Sequence, residues 1–183
     1  MADKPGFADV VAHYTAIEGG DDSHYPDSPE LLSIGAAFSE RFGLMRLGIH
    51  HERLPPGRRV SWPHAEADEE EFVYVIAGEP DLWLDGHVRR LKPGDGVGFA
   101  AGTGIAHTFI NNTESDVRLL VAGEASRRRS RIHYPMNPKR NAEIGARHWK
   151  DAPACVPGPH EGMPDTSQSV KQGGPCAEGQ WLE

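Results

Sequence analysis

At 183 residues the chain has room for one well-buried domain with material to spare. A net charge of −8 and a pI near 5.7 exclude a general nucleic-acid binder, and no apolar run approaches the ~20 residues that span a bilayer. Twenty-one glycines and fifteen prolines fit a turn-rich β protein with irregular extensions better than a helical bundle. The opening Met1-Ala-Asp-Lys-Pro-Gly-Phe7 has neither a basic n-region nor an apolar h-region. The expected location is therefore cytoplasmic, with Cys155 and Cys176 as reduced thiols.

In chain order, residues 1–43 read as an irregular N-terminal arm, with a loop at Gly19-Gly20-Asp-Asp-Ser23 and a short helix start at Ser28-Pro29-Glu30. Leu44 to Leu54 alternates as a strand does, and Pro55-Pro56-Gly57 closes it. Strands follow at Val60–His64 and at 71–77, the latter ending at Gly78. Asp81–Leu84 and Val88–Leu91 form a hairpin across Asp85-Gly86, the strongest local turn signal in the chain. Gly96–Ala100, the segment around His107, Val117–Gly123 and Ile132–Tyr134 complete the set. Short strands with turns every eight to twelve residues predict a sandwich or barrel, and no internal repeat calls for a second one. From Pro135 the composition shifts to a Pro/Gly-rich tail with one helix expected over 141–149, and Trp149 and Trp181 would pin it to the barrel or to a partner subunit.

The polar residues of the middle segment fall at fixed spacings. Gly57 and His64 are followed by Glu66, Glu71 and Gly78; Gly94, Gly102, Gly104, His107 and Asn111 make a second group. This resembles the two-part signature of the cupin superfamily, G-x5-H-x-H-x3or4-E-x6-G and G-x5-P-x-G-x2-H-x3-N. The resemblance implies an all-β fold, a double-stranded β-helix (jelly-roll) barrel over 44–134, flanked by the arm 1–43 and an extension 135–183. It also implies a metal site of His64, Glu71 and His107, with Glu66 at the second histidine position of the family, as a further ligand or a base. Glu70 fits the shorter allowed spacing, but the six residues to Gly78 favour Glu71. Two smaller departures are the extra residue between Gly57 and His64 and Ala100 in place of proline.

Strand alternation supports the grouping. His64 and Glu66 point one way, Glu71, Val73, Val75 and Ala77 share a face, and so do Ile105, His107, Phe109 and Asn111. Tyr74 then faces away from the site. Of His50 and His51, one faces in and one out, and the inner one is a candidate acid–base group. The run Arg127-Arg128-Arg129-Ser-Arg131 reads as a solvated strand edge rather than a nucleic-acid patch.

By resemblance the cofactor is one divalent metal ion: two imidazoles and a carboxylate suit zinc, iron, manganese and nickel alike. The expected function is that of a metal-binding cupin, an enzyme of dioxygenase, isomerase or lyase type acting on a small polar metabolite. The alternative is a non-catalytic small-molecule-binding or sensor cupin. A transcription regulator is disfavoured, because the first 43 residues are too Gly/Pro-punctuated and acidic for a helix-turn-helix. The expected partners are a small-molecule ligand and a second copy in a homodimer, with neither nucleic acid nor membrane.

Overall fold

The computed structural model of the protein describes residues 6–125 and 130–165. Among these residues, ten strands carry the architecture: β1 Ile34–Ala37, β2 Leu47–Leu54, β3 Ala65–Glu66, β4 Glu71–Ala77, β5 Asp81–Leu84, β6 His87–Arg90, β7 Gly96–Phe99, β8 His107–Ile110, β9 Val117–Glu124 and β10 Ile132–His133. The helices are short: α1 Phe7–Val10, α2 Phe38–Phe42 and α3 Pro138–Glu143. The fold is all-β, and among the described residues no helix is long and apolar enough to cross a membrane.

The strands form a five-stranded antiparallel sheet, β1-β2-β9-β4-β7, and a three-stranded sheet, β6-β5-β8, with β10 and β3 paired separately. Residues 57–64 extend the smaller sheet by running along β8, through Gly57 N–H to Asn111 O (2.8 Å), Val60 N–H to Phe109 O (2.9 Å) and isolated bridges at Arg59–Ile110 and His64–His107. Val60–His64 is thus not the regular strand expected. Pro63 has no N–H to give, and only scattered bonds form.

The period-2 pattern of β4 and β9 turns Val73, Val75, Val117, Leu119 and Val121 inward, where they meet Leu54, Leu82, Leu91 and Phe109 from the surrounding strands. The outward set of β4, Phe72, Tyr74 and Ile76, stays 39–47% exposed. A second core of Ala65, Trp83, Ala106, Ile110 and Trp149 lies on the other face of the smaller sheet.

Turns connect these strands where glycine is obligatory. Gly78 has φ of 79°, and a Cβ there would lie 2.8 Å from Val117 Cγ2, so the end of β4 closes tightly on β9 only without a side chain. Asp85 and Gly86 both have positive φ, the signature of the hairpin turn expected between β5 and β6.

The described parts of both chain extensions pack. In the arm, Tyr14 stacks on His51 at 4.0 Å, Arg53 bonds Glu18 at 2.9 Å, Asp21 pairs with Arg58, and Arg59 pairs with Glu30 at 2.6 Å. The helix expected from Ser28 does not form; Glu30 instead serves Arg59 and accepts from Trp62 Nε1 at 2.9 Å. The arm also contains a strand the sequence reading did not assign, β1, paired with β2 along its whole length. In the extension, α3 and a 3₁₀ turn at Gly145–Arg147 replace the single helix expected over 141–149. The following segment crosses the second core, where Trp83 Nε1 donates to His160 O (2.8 Å) and Arg59 to Gly162 O (2.6 Å). Trp149 is buried there, whereas Trp181 and Cys176 lie outside the described residues. Cys155 is exposed and has no disulfide partner among the described residues. Arg127 to Arg129 also fall outside the described residues, while Arg131 pairs with Asp68 at 3.1 Å.

Candidate functional site

A cavity of about 330 Å³ opens between the two sheets. His64, Glu71 and His107 line it together with His50, Glu52 and the arm residues Ser23 and Ser33. Three of the four site residues expected from the sequence therefore meet in one space. Glu66 lines an adjoining acidic groove of about 600 Å³, which Glu71 and His50 also border. Tyr74 faces outward, as alternation requires.

The two histidines are placed by backbone pairing. His64 N–H donates to His107 O at 3.2 Å and His107 N–H to His64 O at 3.0 Å, so the residues are direct cross-strand partners with side chains on one face. Their rings lie 5.1 Å apart, and Phe99 stacks on the His107 ring at 3.5 Å. Glu71 comes from the opposite sheet, at the start of β4, between Phe99 and Gly123.

Hydrogen bonding fixes the tautomers. A carbonyl can only accept, so Nδ1 of His64, 2.8 Å from Trp62 O, carries the proton. The same holds for Nδ1 of His107, 3.3 Å from Ile105 O. Each neutral ring is left with a lone pair on Nε2. For His107 that atom is buried, has no hydrogen-bond partner among the described residues, and lies 3.4 Å from Glu71 Oε1.

The protonation states follow from the surroundings. Burial, then the neighbouring His107, pulls the His64 imidazole well below its usual value. Burial pushes Glu71 up, but His107, His64 and His50 together hold it below the ordinary carboxylate value. At neutral pH the cavity thus presents neutral His64 beside an ionised Glu71. Glu66 differs: burial first, then the charges of Glu69 and Glu71, pushes its carboxyl up to about 8.

A lone pair on His107 Nε2 facing a carboxylate oxygen is repulsive unless a proton or a cation stands between them. Two imidazole nitrogens and one carboxylate are the donor set of many divalent-metal sites. Among the described residues no group of three or more His, Cys, Asp or Glu is arranged closely enough to chelate an ion as it stands. The donor chemistry fits an ion; the close pair is His107 and Glu71, with His64 beside them.

The structure also decides between His50 and His51. His50 points into the cavity, where its Nδ1 lies 3.1 Å from Glu52 Oε1. His51 points outward under Tyr14, with both ring nitrogens buried and unpartnered among the described residues. The role of Glu52 had no signal in the sequence, since it depends on the inward face of β2.

The family model described as Cupin domain matches residues 50–123. A solved structure from Silicibacter pomeroyi DSS-3, described as a sugar phosphate isomerase from a cupin superfamily, is 29% identical over 56% of this chain and 64% of its own, with a TM-score of 0.53. A protein from Acidithiobacillus ferrooxidans ATCC 23270, provisionally named a sugar phosphate isomerase, is 29% identical over 56% of this chain and 65% of its own, with a TM-score of 0.54. This chain therefore spans less than two thirds of the length of either. The polyketide cyclase RemF from Streptomyces resistomycificus shares the fold at 19% identity, over 75% of this chain and 94% of its own, with a TM-score of 0.56. No curated protein matches the chain. The motif residues, the facing sheets and these likenesses agree, and the chain is a cupin domain protein.

Proposed function

We propose that the protein binds one divalent metal ion through His64, Glu71 and His107, with Glu66 as the outer member of the set, and acts on a small polar metabolite in the cavity. The observation that carries this reading is the pair of Nε2 lone pairs fixed by backbone carbonyls, one of them buried against the Glu71 carboxylate. Zinc, iron, manganese or nickel suits these donors, and such an ion supplies polarisation of a substrate carbonyl or enolate oxygen. The protein's own part is to keep Glu71 ionised beside the two imidazoles and to exclude bulk water with Phe99 and the arm. The isomerase names of the two 29%-identical structures support an enzyme over a non-catalytic binding cupin.

On this reading the architecture is a double-stranded β-helix jelly roll over 44–134. The arm lends it β1, and the described part of the extension, up to residue 165, plates its outer face. The working form is a cytoplasmic homodimer.

Elemental analysis of the full chain by ICP-MS, after growth in mixed-metal medium, tests the site. About one equivalent of a single metal is expected, absent in His107→Ala and His64→Ala. In Glu66→Ala it should be retained but bound roughly tenfold more weakly, as for loss of a supporting group. Unchanged metal in His107→Ala overturns the ligand assignment, and no metal in the wild-type chain makes the non-catalytic binding cupin the better account.

A further inference from the structure

Beside the histidines already assigned, the cavity wall carries a second polar unit that the metal reading does not use. His50 and Glu52 are alternate residues of β2, so both project inward. Glu52 Oε1 lies 3.1 Å from His50 Nδ1, and the Glu52 side chain is only 10% exposed. Gly35, its cross-strand partner on β1, makes the room: a Cβ there would press Glu52 Oε1 at 3.2 Å. A buried carboxylate accepting from Nδ1–H fixes the imidazole tautomer and leaves Nε2 free. That nitrogen has no hydrogen-bond partner among the described residues, and the His50 side chain is 43% exposed where the cavity meets the outer groove.

We propose that His50 is a proton-transfer catalyst on α-hydroxycarbonyl substrates, with Glu52 as its positioning residue. This deepens the function proposed above and rests on it. The hydroxyls of Ser23, Ser33 and Ser61 in the same wall suit a hydroxyl-bearing ligand, and about 330 Å³ limits its size. In the step, Nε2 takes the proton from the carbon next to the carbonyl. The C–H electron pair becomes the double bond of an enediolate, and the carbonyl π pair moves onto oxygen, which takes up the proton given by the neighbouring hydroxyl. The proton on Nε2 then goes to the former carbonyl carbon as the other oxygen re-forms a carbonyl, so the carbonyl changes place without any oxidant or reductant. The groups facing His50 are Glu52 on its own strand, Glu71 on β4 and Glu40 on α2; all three favour its protonated form, Glu52 most, against burial.

The test is deuterium incorporation from D2O into glycolaldehyde, glyceraldehyde and dihydroxyacetone, followed by NMR, with metal content measured on the same full-length samples. Carbon-bound exchange by the wild-type chain is expected to fall at least a hundredfold in His50→Gln with metal retained. In Glu52→Gln the acid limb of its pH profile should shift down by about one unit, as expected when a neighbouring carboxylate is removed, and Glu52→Asp should restore part of that shift. Exchange that persists in His50→Gln, or an unmoved profile in Glu52→Gln, overturns the proposal. Metal-loaded wild-type protein that exchanges none of the three probes overturns it too, while leaving the metal site standing. Wild-type protein without metal sinks the underlying reading instead.

Discussion

Asn111 is fully buried, and its amide serves four groups. Nδ2 donates to Leu54 O and Ser115 O, both at 2.8 Å, while Oδ1 accepts from Thr113 N–H at 3.0 Å and Thr113 Oγ1 at 2.6 Å. The last residue of the second motif is therefore a clamp that ties the end of β2 to the β8–β9 turn, and not a ligand. Asn111→Ala should cost about 2–3 kcal/mol in urea unfolding, because it strands buried carbonyls without water. Metal stoichiometry should be unchanged; a loss of metal at full stability would make Asn111 part of the site. At this scale the sequence was informative where spacing was at stake. His64, Glu71 and His107 could be read because their intervals are set by the strand period and by turn lengths. The choice between His50 and His51 could not, since a one-residue change of register exchanges the two faces. Glu52 was silent for the same reason.

The elements were legible in proportion to how strongly their own residues favour them. β4, β9 and the β5–β6 hairpin carry β-branched residues or a positive-φ turn pair, and they form as expected. β1 was missed because Ile34-Gly-Ala-Ala37 has little strand propensity of its own, and its pairing with β2 overrides that. The arm behind β1 is held by charge, which gives it a pH dependence. The Arg53 guanidinium beside Glu18 holds that carboxyl below its ordinary value of 4.5, against burial, and Arg58 does the same for the exposed Asp21. A carboxyl with a lowered folded-state pKa stabilises fully above its unfolded value and loses that contribution as pH falls through the folded one. Wild type should therefore melt at higher temperature than Arg53→Met at neutral pH. The difference in Tm should shrink between about pH 5 and pH 3 as Glu18 takes up its proton. A difference that holds constant to pH 3 would mean that Arg53 acts through packing rather than through its ion pair.

Across the whole molecule, the two faces of the sheets are treated unequally. The outer face of the smaller sheet is plated by the extension, which buries Trp83 and Trp149 and spends backbone hydrogen bonds on doing so. The outer face of the larger sheet is covered by the arm around His51, Arg53 and Arg118. Further along, Phe72, Tyr74 and Ile76 stand 47%, 41% and 39% exposed on β4. β7, the edge strand beside it, offers only Gly96 and Gly98 on that side, so no side chain from that edge screens the stripe, which continues across Leu120 and Ala122 of β9. Contiguous apolar surface of this kind is characteristic of association sites, and if the proposed homodimer forms, this stripe is the contact expected for it. Covering one such side chain is worth about 1.5–3 kcal/mol, and twofold symmetry would count each substitution twice. Tyr74→Glu should therefore raise the dimer dissociation constant at least about a hundredfold, converting the protein to monomer in size-exclusion chromatography with light scattering. Because the Tyr74 side chain points away from the cavity, metal content in that variant should match wild type. A wild-type chain that elutes as monomer, or a Tyr74→Glu dimer as tight as the parent, would move the contact off this face.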